Sequence, residues 1–344
     1  MSLVRKLRIP ERTKQFVYAV REPETQSVIY ILSAQSLSEW SATDADCLIR
    51  EIRPDAVIAQ VGHSTLTEIQ SEESVLCDGF DKSFPTSTLR VLKRCFLEKV
   101  NKERYEDIAG NLVLQEIFGV GFHGQFLAAK RVAQEVGSSF LVLELPFVKS
   151  SGAENTPGEL EAVSKFQGLV SGLVPQKVGL VAASSSMRLY ITNDLQSQMI
   201  QLRGPTALAN AQKMLYDVNR GEAVDTNVIS EVYALRIAVE GLRISLNNAG
   251  RLPINKIREP SLNQAELSDL PVEDKSHALL VEALRGQTKK FKTIVAVVDA
   301  SGLASLRKHW KTHVPLEVKE MVGKLVTDCE GEGEMSNDTD RKNC

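Results

Sequence analysis

The chain has 344 residues, 43% of them hydrophobic and 25% charged, with a formal net charge of -3 at pH 7. That length can bury a sizeable core as one large α/β domain or two smaller ones, and the near balance of charge excludes a whole-chain pull toward nucleic acid or anionic membrane. The five cysteines (Cys47, Cys77, Cys95, Cys329, Cys344) form no CxxC pair and are odd in number, which argues against a disulfide framework or a zinc ribbon and suits a reducing compartment such as the cytoplasm.

Met1–Lys14 carries Arg5, Lys6, Arg8, Arg12 and Lys14 against Glu11 alone and lacks the apolar core of a secretion signal. We expect an exposed basic arm there, with organelle import through it left open. No apolar run approaches the roughly 20 residues that span a bilayer, so a soluble protein is expected, peripheral membrane association staying open. Phe16–Val20 reads as a short strand, paired through Glu22–Gln26 with the apolar run Val28–Leu32, which leads into Ser33-Ala34-Gln35-Ser36. Ala42–Ile52 has helical apolar spacing (Ala45, Leu48, Ile49, Ile52), and Arg53-Pro54-Asp55 ends that helix. A second strand, Ala56–Ala59, leads into Gln60-Val61-Gly62. So short a connection between two near-continuous apolar strands predicts a parallel β-α-β unit buried on both faces. Ligands of open α/β sheets gather at the carboxyl ends of strands, and there stand Gln35 and Gln60, which exchange hydrogen bonds without charge.

Thr86–Val100, Tyr105–Phe118 and Gln125–Val136 have helical periodicity, and Phe140–Leu143 is a compact strand ended by Glu144-Leu145-Pro146. Lys149–Gly158, rich in Ser, Gly, Asn and Pro, is a loop or subdomain boundary. Val178–Ala183 and Met187–Thr192 carry strand signals. Pro205–Val218 and Val228–Leu246 read as helices, the second stopped by Asn247-Asn248-Ala249-Gly250. A helix opens at Pro271 and runs through Leu284; Thr293–Val298 is a strongly apolar strand, followed by Asp299-Ala300-Ser301-Gly302 and a helix over Leu303–Trp310. Asp328–Cys344 is acidic and reads as a disordered tail. The expected fold is α/β: a central, mostly parallel sheet flanked by helices, one domain over 15–327 with a helical insertion at about 148–271.

Tyr30–Gln35, Arg53–Gln60 and the late Val297–Leu303 to His309-Trp310 resemble the TraB/PrgY family, related to the Tiki metalloproteases. In that family the first strand ends in Gly-x-x-His and the second in a glutamate. A helix starts with Gly-Glu-Phe, Asp-Arg-Pro follows the next strand, and a second Gly-x-x-His precedes a helix ending in tryptophan. The order is followed over about residues 16–147 and 272–312. Most of the chemistry-bearing positions are changed. The first histidine falls on Gln35, the glutamate on Gln60 and the arginine after it on Thr65. Gly-Glu-Phe becomes Gly124-Gln125-Phe126, and Asp-Arg-Pro becomes Glu144-Leu145-Pro146. The second histidine falls on Gly302, and a family arginine falls among Asp274–Ser276, where only Lys275 is cationic. A carboxamide is a poor ligand for hydrolytic metals, and neither glutamine nor glycine can act as a general base. The resemblance therefore implies a degenerate metal-dependent hydrolase with no resident metal or cofactor, acting as a binding or regulatory protein for a peptide, protein or small ligand.

Two other readings are open. An active hydrolase could have rebuilt its site from Asp299, Glu144 and His63 or His123. Alternatively, Gly119, Gly121 and Gly124 spell Gly-x-Gly-x-x-Gly ahead of a helix, with Glu144 beyond, as in a dinucleotide-binding oxidoreductase; the helical spacing of Tyr105–Phe118 speaks instead for a helix-helix turn. His309 and His313 would share a helical face if their helix continued, but Pro315 follows closely and the glutamate usual in zinc helices is missing.

Overall fold

The structure, a computed structural model, describes residues 2–61, 114–144, 231–251 and 272–328, with isolated positions between them. Two short helices, α1 (Ser2–Arg5) and α2 (Glu11–Lys14), precede the hairpin of β1 (Val17–Arg21) and β2 (Val28–Ala34). Then come α3 (Glu39–Ile52), β3 (Ala56–Val61), α4 (Gly124–Val136) and β4 (Ser139–Glu144). The later part contributes α5 (Ala234–Arg251), α6 (Val272–Gln287), β5 (Thr293–Asp299), α7 (Leu303–Lys308), α8 (Leu316–Val322) and β6 (Val326–Asp328). The six strands form one sheet in the order β1-β2-β5-β3-β4-β6. Its four central strands are parallel, and both edge strands run antiparallel to their neighbours. This is the α/β architecture expected.

β2 and β3 are parallel, as the short connection predicts, yet they are not neighbours. β5 separates them, pairing Ile31 with Ala296 on one side and Ile58 with Ala296 on the other. The reason lies in composition: Ile294, Val295, Ala296, Val297 and Val298 are all buried, and a strand without a polar face needs cover on both sides. One face is covered by α3 and α4, where Leu48, Ile49, Phe126 and Val132 meet Leu32, Val57 and Phe140. The other is covered by α6 and α7, where Leu280, Leu284, Leu303 and Leu306 meet Ile29, Ile58 and Leu143.

Several boundaries differ from expectation. The N-terminal segment packs onto the fold: Val4 and Ile9 join the core, and the Thr13 hydroxyl donates to Asp44 Oδ1 at 2.6 Å. Its basic residues stay at the surface on aliphatic stems. α5 runs through Asn247–Gly250 to Arg251 because tertiary contacts outweigh the stop signal: Asn247 Nδ2 donates to Gln15 O at 3.1 Å, and Gly250 lies against Leu303. α6 likewise passes through Gly286, and α7 stops at Lys308, short of Trp310. Asp328 ends β6, so the C-terminal tail cannot begin before it. The predicted elements at Thr86–Val100 and Val178–Thr192 lie outside the described residues. Among the described residues no helix is long and apolar enough to cross a membrane.

Candidate functional site

The parallel strands bring their carboxyl ends to one edge of the sheet. Ala34 is paired with Asp299 and Val61 with Glu144, so Gln35, Asp299, Gln60 and Glu144 follow one another across that edge. Gln60 is half-buried and its side-chain oxygen accepts the Asp299 N–H at 3.2 Å, tying β3 to β5 just where their ladder ends. The Asp299 carboxylate caps the following 3-10 turn, accepting the Ser301 N–H at 2.8 Å and the Ser301 hydroxyl. Gln125, in the first turn of α4, donates from Nε2 to Ser36 Oγ at 3.3 Å, while its Oε1 is buried without a partner. Gly302 is buried, and a Cβ added there would stand 3.6 Å from His277 Nε2, an ordinary contact. Glu144 closes β4; His63 lies outside the described residues.

The turn after β2 is strained and tightly held. Leu37 has φ +63°, a left-handed conformation that costs a bulky side chain of the order of 1 kcal/mol. Around it, the Gln35 N–H donates to Ser41 Oγ at 2.9 Å, Ser38 Oγ accepts the Ser41 N–H at 3.0 Å, and the Ser38 hydroxyl donates to Glu240 Oε2 at 2.7 Å. Beneath it sits a fully buried arginine. Arg243 donates from Nε and Nη2 to Ser33 O at 3.1 and 2.9 Å, and its Nη1 lies 2.8 Å from Asp44 Oδ2. The guanidinium also stands 3.8 Å from the centre of the Phe16 ring and 3.5 Å from Glu240. Burial lowers its pKa, opposed by Asp44 and Glu240, without threatening its charge near neutrality. This network escaped the sequence reading, although its signal was there. Arg243 interrupts the apolar stripe of α5 one turn after Val239, and Asp44 interrupts that of α3 beside Ala45; opposite charges on two buried stripes are best explained as a pair.

His123 is also buried. Its Nδ1 is 3.0 Å from Glu72 Oε2, which also accepts the His123 N–H at 3.1 Å. Among the described residues, Glu72 Oε1 and His123 Nε2 have no partner. A carboxylate-oriented imidazole with a free Nε2 is one ingredient of acid–base chemistry. No hydroxyl or thiol of the described residues bonds to Nε2. Gly121 permits this pairing, since a Cβ there would fall 1.9 Å from Glu72 Oε1.

The dinucleotide fingerprint fails on local structure. Residues 114–118 are helical, and Gly119, at φ +79°, turns the chain with its N–H on Gln115 O at 2.8 Å. A strand must precede a pyrophosphate-binding turn, so these glycines serve a helix-helix connection. The His309/His313 pair also separates. α7 has ended before His309, whose buried ring lies with Nδ1 3.2 Å from Thr312 Oγ1 and Nε2 3.2 Å from Asp274 Oδ1. Among the described residues no three His, Cys, Asp or Glu side chains cluster as a metal site.

Neither a scan of protein-family models nor a search of curated proteins finds a match to this chain.

Proposed function

We propose that this is a divergent TraB-like protein whose metal-dependent hydrolase site has been lost, and whose carboxyl-edge cleft binds a neutral, hydrogen-bonding ligand such as a peptide segment. The observation that carries this reading is the clasp from Gln60 Oε1 to the Asp299 N–H at 3.2 Å. The side chain standing where the resemblance requires a carboxylate is engaged in joining two strands. Asp299 is similarly committed to its cap and Gln125 to Ser36. Neutral amides and hydroxyls facing a cleft suit partners that present N–H and C=O groups.

The test restores the missing ligands. The combined variant Gln35→His, Gln60→Glu, Gln125→Glu, Gly302→His should gain stoichiometric manganese, cobalt or zinc by titration calorimetry and elemental analysis, while the natural protein takes up none. At Gly302 the added Cβ meets only ordinary contacts, with His277 Nε2 at 3.6 Å. The reading fails if the natural protein hydrolyses peptides with bound metal and loses that activity on Asp299→Asn or His123→Ala.

A further inference from the structure

Away from the carboxyl ends of the strands, a further candidate surface runs along β1, the edge strand of the sheet among the described residues. A cavity of about 680 Å³ runs beside β1 and is lined by four consecutive strand residues, Val17, Tyr18, Ala19 and Val20. β1 is the outermost strand. Ser33 N–H bonds to Phe16 O and Glu22 N–H to Ser27 O, so in the antiparallel alternation the residues of that parity face β2. Val17, Ala19 and Arg21 therefore turn their N–H and C=O groups outward, and no described residue outside the sheet bonds to them. Exposed edges of this kind are normally covered or blunted by charge.

Two walls rise from this floor. One is built by α1 and α2 and presents Arg5 and Lys14; the other is built by the end of α5 and by α7, presenting Arg251 and Arg307 above Leu303, Leu306 and Trp310. Among the described residues Glu11 is the one carboxylate lining the cavity, and it is engaged by Lys14 at 2.8 Å. Arg251 is held over the Tyr18 ring, with Nε donating to Tyr18 Oη at 3.0 Å, and no carboxylate of the described residues pairs with it. Among the described residues, neither Arg5 nor Arg251 is paired with a carboxylate, although Arg251 also donates to Gln15 O.

We propose that this slot binds an extended acidic segment of a partner protein, which adds to β1 as a further antiparallel or parallel strand. Backbone pairing to Val17, Ala19 and Arg21 supplies affinity. Alternate side chains then meet the two walls, carboxylates reaching the cations and aliphatic groups reaching Leu303, Leu306 and Trp310. The inference is independent of the cleft at the strand ends.

The test is fluorescence polarisation with a labelled synthetic peptide of alternating glutamate and valine. It should bind the natural protein, weaken with added salt, and lose about tenfold in affinity on Arg5→Glu with Arg251→Glu. Replacing its glutamates by lysine should abolish binding. Two N-methylated versions, methylated on the glutamates or on the valines, separate strand addition from charge alone. One set should eliminate binding, because its N–H groups face β1, while the other retains it. Equal binding of both methylated sets, binding of the lysine peptide, or no binding of the acidic peptide would each overturn the proposal. So would recruitment to phosphatidylserine vesicles without peptide binding, which assigns the cations to a lipid surface.

Discussion

Replacing Arg243 by methionine should be among the most damaging single changes in this fold. Arg243 and Asp44 have side chains 0% and 2% exposed and stand 2.8 Å apart. Arg243→Met removes that ion pair and both donors to Ser33 O, leaving the Asp44 carboxylate with the Thr13 hydroxyl as its remaining donor. Breaking a buried pair from one side costs about 3–5 kcal/mol, because the surviving charge stays desolvated. Against a typical total of about 5–15 kcal/mol, that is a large share of stability. Replacing both partners, Arg243→Met with Asp44→Leu, removes the orphaned charge and should cost far less than the two single changes added together. Urea unfolding of the natural protein, the two single variants and the double variant closes the cycle, with an expected coupling of about 2–3 kcal/mol. A cost below about 1 kcal/mol for Arg243→Met, or additive single changes, would refute the view that this pair anchors the turn after β2.

Three further outcomes are expected. Gly250→Ala places a Cβ 2.8 Å from Leu303 Cδ2; although alanine favours the helix by about 1 kcal/mol, overpacking costs about 1–3 kcal/mol, so thermal melting should show net destabilisation. Gly121→Ala drives a methyl into Glu72 Oε1 and should break the bond to His123, visible as a changed imidazole pattern in nitrogen NMR and a loss of about 1–3 kcal/mol. The third concerns pH: burial depresses the pKa of His309 despite the nearby Asp274, whose own carboxyl is held low chiefly by its hydrogen bond from Lys308. Both folded-state values lie below the unfolded ones, so their contributions are complete at high pH. The His309 part is lost as pH falls through the ordinary histidine range toward the depressed value, and the Asp274 part is lost in the carboxylate range below it. Urea unfolding against pH should show that first loss, and His309→Gln should flatten it.

The sheet was readable where hydrophobic patterning was strong. Val28–Leu32, Ala56–Ala59, Phe140–Leu143 and Thr293–Val298 are apolar runs bounded by turn residues, and each is a strand. Their carboxyl ends fall at one edge of the sheet, as expected, because parallel strands must finish together. Strand order was less accessible, since the placement of β5 between β2 and β3 depends on pairing across more than two hundred residues and leaves no local pattern. The helix ends failed for a similar reason: Asn247 and Gly250 look like a stop, yet each is used in a contact with a distant element. At that edge, the places of Gln35, Gln60 and Asp299 at the strand ends followed from position alone. Glu72 and Arg243 were not, because a charged residue on a helix is ordinarily a solvated one, and only its burial reveals a partner.

The neutral residue at position 60 and the acid at position 299 are best understood together. At the junction of β3 and β5 the Gln60 side chain reaches the backbone N–H of Asp299, and the Asp299 carboxylate reaches forward to Ser301. A glutamate at the first position could accept the same N–H, but it would set a second carboxylate beside Asp299 at a half-buried edge, and like charges so placed oppose one another unless a cation lies between them. A metal would supply that cation; without one, an amide keeps the hydrogen bond and removes the repulsion. Glutamine at position 60 therefore holds the Asp299 N–H without setting a second negative charge beside a carboxylate that caps the following turn.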